Sequence, residues 1–263
     1  MKKTIDIICN EAIEVALKTG KYLKDEQQKL SVTAVEEKST RNYVTYIDKE
    51  AERITVEGLK RILPEASFLA EEETVEYEKK EYTWIVDPLD GTTNYVHGDS
   101  PYSVSIALTH NDEIILGIVY DPVVEELYCA TSEGGSTLNG APIKISQHAT
   151  LQNGYIGFGI PYHLDERGEG ILKRTTEQYR KSSFRIKGSA AVELCYVAAG
   201  RSDAYFHSGL SPWDVAAGSI ILKKAGGTIT DFSGNDNYIF GREIVGSNGL
   251  IHREIMDNII KER

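Results

Sequence analysis

The stretch Trp84-Ile85-Val86-Asp87-Pro88-Leu89-Asp90-Gly91-Thr92-Thr93-Asn94 constrains the fold more than any other part of the chain. Three bulky apolar residues run directly into an acid. A strand ending at Val86 delivers Asp87 to a sheet edge. Pro88 has no amide hydrogen, so the chain cannot continue as a central strand and turns there. Gly91 permits a tight bend, and Asp90 or Thr92 can cap a helical turn that follows. The amides around Gly91 to Thr93 would then point outward at a helix start, where anions bind. Asp-Pro-x-Asp-Gly is also an ordinary surface turn, but a surface turn rarely needs Trp-Ile-Val in front of it.

The neighbouring sequence has the same strand-rich texture. Between residues 82 and 145, YTWIV, SVSIALTH, EIILGIVYD and EELYCAT are short and rich in β-branched and aromatic residues. Turn residues separate them, including Asn111-Asp112 and Asp121-Pro122. Asn139-Gly140 signals a hairpin. Upstream, Ile5, Ile8, Cys9, Ala12, Ile13, Ala16, Leu17, Gly20 and Leu23 recur in steps of three and four, which predicts a helix over 3–26. Ala51, Ile54, Leu59, Ile62 and Leu63 predict a second over 48–63, stopped by Pro64. EEKSTRNYVTYID, between the two, reads as a short hairpin. The N-terminal half is therefore expected to be a largely antiparallel sheet with two helices against one face.

After about residue 150 strands and helices alternate. GYIGFGI, SFRIK, DAYFH and EIVGSN read as strands. Residues 166–181, SAAVELCYVAAG, WDVAAGSIILKKAGG and 249–261 read as helices. Alternation of this kind predicts a sheet sandwiched by helices. We divide the chain into an α+β half, 1–148, and an α/β half, 149–263, with an extensive interface and clefts between them. A chain of 263 residues buries close to three-quarters of its unfolded surface, so it needs no disulfide or structural metal to fold.

Cys9, Cys129 and Cys195 are far apart and odd in number, which reads as reduced, unpaired thiols in a cytoplasmic protein. The N-terminal segment lacks the apolar core of a signal peptide, and no run approaches the eighteen apolar residues of a membrane span. The net charge of −11 argues against nucleic-acid polymers and anionic membranes as partners. A small anionic substrate remains compatible, provided cations bridge it to the protein.

Further acids sit at the ends of predicted elements. Phe68-Leu69-Ala70 leads into Glu71-Glu72-Glu73, of which Glu73 reads as solvated. Asp48 lies at a helix start, where an N-cap is its simplest role, and Ser211-Pro212-Trp213-Asp214 opens an apolar helix. An acid in a first helical turn contributes under about 1 kcal/mol through the dipole, but the apolar neighbours Trp213 and Val215 argue that Asp214 is not free in water. If Glu71, Asp87, Asp90 and Asp214 converge, they cannot all stay ionised without cations. Hard divalent ions with oxygen ligands, Mg²⁺ above all, resolve that repulsion. Such a cluster beside outward amides suits phosphoryl transfer.

WIVDPLDGTTN, FLAEEE and SPWDVAAG, in this order and spacing, resemble the Mg²⁺-dependent, lithium-sensitive inositol monophosphatase family. The resemblance extends through GSAAVELCYVAAGRSDAYF and KKAGGTITD and covers essentially the whole chain. It implies a layered αβαβα sandwich of the inositol monophosphatase and fructose-1,6-bisphosphatase type, and a homodimer. It implies two or three Mg²⁺ per site, with Glu71, Asp87 and the Leu89 carbonyl on the first and Asp87, Asp90 and Asp214 on the second. Glu71 also matches the carboxylate beside a weaker third ion. Asp48 and Thr92 match the pair that activates the attacking water, and the Gly91 and Thr92 amides match the phosphate cradle. Gly188, Ser189 and Ala190 match the segment lining the sugar side of the pocket. Lys38 matches a mobile basic residue near the metals. The implied reaction is hydrolysis of a phosphate monoester, myo-inositol monophosphate first, by direct in-line attack of water.

One departure bears on the substrate. Where inositol-cleaving relatives commonly carry a glutamate, this chain has His207, in DAYFHSG. An imidazole facing the pocket can donate a hydrogen bond and, near its pKa, carry positive charge, which would suit a second phosphate. The alternatives with the same chemistry are 3′-phosphoadenosine 5′-phosphate, fructose 1,6-bisphosphate, NADP and histidinol phosphate. A metal- or phosphate-binding module without catalysis is the reading from another class. The joint presence of Asp48, Glu71, Asp87, Asp90, Thr92 and Asp214 speaks against it.

Overall fold

A computed structural model of the chain describes residues 4–29, 35–39, 42–161 and 163–261, with the backbone alone for 35–39 and 42–45. In chain order the elements are α1 Ile5–Gln27, β1 Val35–Ser39, β2 Asn42–Thr45, α2 Tyr46–Ile62, β3 Ser67–Ala70, β4 Tyr82–Asp90 and α3 Thr92–Val96. Then follow β5 Ser103–His110, β6 Glu113–Asp121, β7 Glu126–Thr131, β8 Ser136–Leu138 and β9 Ala141–Pro142. The C-terminal half has β10 Tyr155–Phe158, α4 Glu166–Gln178, β11 Ser183–Arg185, α5 Ala190–Ala198, β12 Ala204–Ser208 and α6 Pro212–Lys224. It ends with β13 Thr228–Thr230, β14 Glu243–Ser247 and α7 His252–Ile255, which continues as a π-helical turn, Met256–Ile260.

These elements stack in five layers. The larger sheet runs β3-β4-β5-β6-β7-β8-β9 and is antiparallel except for the parallel pair β3 and β4. The smaller sheet runs β11-β10-β12-β14-β13 and is mixed. Three apolar cores lie between the layers. In the first, α1 and α2 pack on one face of the larger sheet, through Ala12, Ala16, Leu59, Trp84 and Val86. In the second, α5 and α6 fill the space between the sheets, with Ile85, Val119, Leu194, Ala217 and Ile244. In the third, α4 and the C-terminal helix cover the outer face of the smaller sheet, through Ile171, Phe206, Val245 and Ile255.

The period of two along a strand explains the division. Trp84 and Val86 fall in the first core and Ile85 in the second. By the same alternation Asp87 follows Ile85 onto the side where α6 lies. That helix comes very close to the sheet: a Cβ on Gly117 of β6 would sit 2.5 Å from the Ala217 carbonyl oxygen. Small residues on both surfaces therefore set how near the start of α6 stands to the end of β4.

The structure refines several expectations. Asn111 and Asp112 both take positive φ between β5 and β6, as do Asn139 and Gly140 between β8 and β9. The short hairpin before α2 is β1 paired with β2. The predicted helix 166–181 stops at Gln178, because the chain turns to start β11. SFRIK keeps only Ser183–Arg185 as strand; the next residues form the turn into α5. The three-residue strand β13, TIT, was not expected, since it is too short to show alternation. Among the described residues no helix is long and apolar enough to cross a membrane.

Candidate active site

The site is where β4, α3, α5 and α6 meet. Asp87 and Asp90 come from the last turn of β4, where the ladder with β5 breaks register between them. Asp87 is almost wholly buried, and its Oδ1 accepts the Leu89 amide at 2.9 Å. Gly91 caps α3 at φ 93°, a left-handed conformation that favours glycine. A side chain there would also meet the Pro101 carbonyl oxygen at 2.9 Å. Thr92 opens α3, and its hydroxyl donates to the Leu89 carbonyl oxygen at 3.1 Å. Asn94 donates to the Pro101 and Lys187 carbonyl oxygens at 2.8 and 2.7 Å, tying the bend to the turn before α5.

Asp214 arrives from the first turn of α6. Its Oδ2 accepts the Ser211 amide at 2.6 Å, and the Ser105 hydroxyl of β5 donates to the adjacent Trp213 carbonyl oxygen at 3.0 Å. Ser105 is the register partner of Asp87, so this bond fastens α6 opposite the acid. The result is that Asp87, Asp90 and Asp214 each place a carboxylate oxygen within 4.8 Å of the others. Burial pushes all three carboxyls above their ordinary range, Asp90 to about 6. Glu71 adds to the rise at Asp87 and Asp214 by like-charge repulsion. Its amide donates to the Val86 carbonyl oxygen at 3.3 Å, which sets it beside the end of β4.

Asp90 is held by α5. The Ser189 hydroxyl donates to its Oδ2 at 2.5 Å, the Ala191 amide to Oδ2 at 2.8 Å and the Ala190 amide to Oδ1 at 3.3 Å. Three donors at the start of a helix favour the carboxylate form and offset part of the burial cost. This alters the reading of the Gly188–Ala190 segment. Ser189 is buried and turned to Asp90, so its hydroxyl supports an acid of the cluster instead of lining the sugar side. Gly188 takes positive φ under the Asn94 side chain.

His207 also differs from expectation. It lines a cavity with Phe158, Ile160, Ile171 and Phe232. Its Nδ1 shares a 3.0 Å hydrogen bond with the Tyr205 hydroxyl, and its ring covers Gly159, where a Cβ would clash at 2.3 Å. Burial pushes the imidazole down to about 4, so it is neutral at pH 7 and brings no positive charge for a second phosphate. Asp48 is buried in the first turn of α2, two residues inside the helix and not at its N-cap. Its charge reaches Tyr95, three residues after Thr92. The Lys38 side chain lies outside the described residues.

The sequence of the Inositol monophosphatase family matches residues 6–263. This chain belongs to that family. Among curated relatives, Nus factor SuhB of Vibrio cholerae is 37% identical over 252 residues, 95% of this chain and 94% of its own length. Fructose-1,6-bisphosphatase/inositol-1-monophosphatase of Thermotoga maritima is 39% identical over 216 residues, 82% of each. The crystal structure of the extragenic suppressor protein suhB from Bartonella henselae superimposes with a TM-score of 0.88 at 32% identity, covering 97% of this chain and 98% of that one. The layered α/β sandwich is thus the fold of the inositol monophosphatase family.

Two further acids support the site without any local signal in the sequence. Glu52 of α2, wholly buried, accepts the Glu72 and Thr74 amides at 2.7 and 2.8 Å and the Thr74 hydroxyl at 2.6 Å. It anchors the turn that carries Glu71. Glu193 of α5 accepts the Lys187 amide at 3.2 Å and steadies the turn before Ser189. Only the helical phase and the neighbouring turn make these two acids internal.

Proposed function

We propose that the chain hydrolyses a phosphate monoester of a small polyol, sugar or nucleotide, with Mg²⁺ as cofactor, and that myo-inositol monophosphate is its first substrate. The observation that carries this reading is the convergence of Asp87, Asp90 and Asp214, with Glu71 alongside, at the opening of α3. Buried acids held above their ordinary pKa fit hard divalent cations, which take oxygen ligands and cancel the repulsion. Glu71, Asp87 and the Leu89 carbonyl would hold one ion, Asp87, Asp90 and Asp214 a second, and Glu71 would stand beside a third. Bound there, such ions neutralise the phosphate and stabilise charge on the attacking and leaving oxygens.

The chain's own residues supply the rest. The Gly91 and Thr92 amides, at a helix opening, receive phosphate oxygens. Asp48 and the Thr92 hydroxyl would orient and activate the attacking water, with the Asp48 carboxylate as the group able to accept its proton. Asp214 stands on the leaving-group side. Ser189 and the amides of Ala190 and Ala191 hold Asp90 in place. The leaving sugar or nucleoside would lie towards Gly188 and Ala190, with His207 shaping the far side as a neutral group. Fructose 1,6-bisphosphate, 3′-phosphoadenosine 5′-phosphate, NADP and histidinol phosphate are the competing substrates, and lithium inhibition is expected.

The apolar surface along Phe158, Ile160, Leu164, Leu172, Tyr179 and Ile186 supports a homodimer, since these side chains line two adjoining depressions and four of them are exposed. The protein is proposed to work in the cytoplasm, with 1–148 and 149–263 as its two halves. The name of the Vibrio cholerae relative, Nus factor SuhB, favours a second reading, an interaction protein whose catalysis is secondary. The full acidic set here favours the enzyme. Phosphate release across a panel of these monoesters tests the substrate. Inositol monophosphate should lead the ranking, and release from none of them would leave only the interaction reading.

A further inference from the structure

Cys9 and Cys129 lie 120 positions apart, yet their sulfurs stand 3.1 Å from each other. Cys9 is on the buried face of α1, among Ile8, Ala12 and Ala16. Cys129 is on β7 and only half-buried, so it is the nearer of the two to solvent. We propose that Cys9 and Cys129 form a redox-convertible dithiol that takes a hydroperoxide and closes to a disulfide clamping α1 to the larger sheet.

The geometry already meets most of the requirement. A disulfide bond is about 2.05 Å long, so the sulfurs need to close by about 1 Å, within reach of a small side-chain adjustment. The shared hydrogen bond lowers the Cys9 thiol from its ordinary value and raises Cys129, so Cys9 is the readier of the two to lose its proton. A thiolate is the form that reacts with peroxides. In the first step a thiolate attacks the peroxide; an S–O bond forms, the O–O bond breaks, and water or an alcohol leaves with the proton. In the second, the other sulfur attacks the sulfenic acid; the S–S bond forms and the S–O oxygen leaves as water. Two thiols lose two electrons, and one hydroperoxide gains them. Cys195, wholly buried between the sheets, is a built-in control.

The clamp would act on the helix that braces the site. At its far end the Leu23 carbonyl oxygen accepts the Tyr95 hydroxyl at 2.8 Å, and the Gln27 side-chain Nε2 donates to the Tyr95 carbonyl oxygen at 3.0 Å. Tyr95 belongs to α3. A bond closing so long a loop stabilises chiefly by restricting the unfolded chain.

The test is to treat the reduced, folded protein with hydrogen peroxide, remove the excess, unfold it and count thiols. The expected result is a fall from three reactive thiols to one, a mass loss of about 2 Da reversed by dithiothreitol, and a proteolytic fragment joining Cys9 to Cys129. The oxidised protein should melt about 5 °C or more above the reduced one. Cys129→Ser should show no intramolecular bond after the same treatment. Three surviving thiols, oxygen addition to a single sulfur, or a bond involving Cys195 would overturn the pairing. A disulfide with no rise in melting temperature would overturn the clamp.

Discussion

Replacing Asp90 with asparagine removes one charge from the acidic cluster and should move stability and activity in opposite directions. Burial holds the Asp90 carboxyl at about 6 against an ordinary 3.8. Keeping it ionised at pH 7 in the absence of cations therefore costs about 3 kcal/mol. The folded form binds this proton more tightly than the unfolded one, so in EDTA stability falls as pH rises from about 4 to about 6 and then levels. Asparagine removes that cost but turns one oxygen into a donor. The Ala190 amide, now 3.3 Å from Oδ1, would face it, at a cost of about 1 kcal/mol. The net gain is about 2 kcal/mol, or about 4–8 °C in melting temperature. Turnover should fall by at least ~10²–10³, the cost of losing one placed electrostatic group, and the stabilisation that Mg²⁺ gives the wild type should shrink. Thermal melts in EDTA and in Mg²⁺ at pH 7, with phosphate release alongside, measure all three. An Asp90→Asn protein that turns over normally, or that melts below the wild type in EDTA, would refute the reasoning.

Three other substitutions probe separate parts of the account. Ser189→Ala deletes the 2.5 Å bond to Asp90 and the cap on the Val192 amide, and should cost about 1–3 kcal/mol in denaturant titration. It should also lower the apparent affinity for Mg²⁺ by about 10–100-fold, because the donor orients a ligand and does not touch the metal. His207→Gln should leave the pH–rate profile between pH 5.5 and 8 unchanged, since the imidazole titrates near 4; a lost inflection near pH 6.5 would show it ionises there after all. Trp84→Ala, at a wholly buried position in the first core, should cost about 3–5 kcal/mol by chemical denaturation.

Much of this site was legible because the family concentrates it in short motifs at element ends. Asp87 and Asp90 were readable from an apolar strand broken by Pro88, and Asp214 from an acid inside an apolar helix start. The hairpins at Asn111 and Asn139 were readable because positive φ at both central residues restricts the choice of side chain. What stayed hidden depends on contacts between distant segments. The Ser189 bond to Asp90 spans 99 positions and the Cys9 contact with Cys129 spans 120, and no local pattern records either. His207 misled for a related reason: its charge state follows from Gly159, Ile160 and Tyr205 around it, not from its own side-chain chemistry. Glu52 and Glu193 reveal their roles only once the turns they hold are placed against their helices.

The most direct measurement strips the protein with EDTA, then follows phosphate release from inositol 1-phosphate as Mg²⁺ is restored, for the wild type and for Asp214→Asn. The account predicts no release in EDTA, full recovery with Mg²⁺ in the wild type, and a recovery lower by at least ~10² in the variant. Release that survives EDTA, or an Asp214→Asn protein that recovers fully, would contradict it.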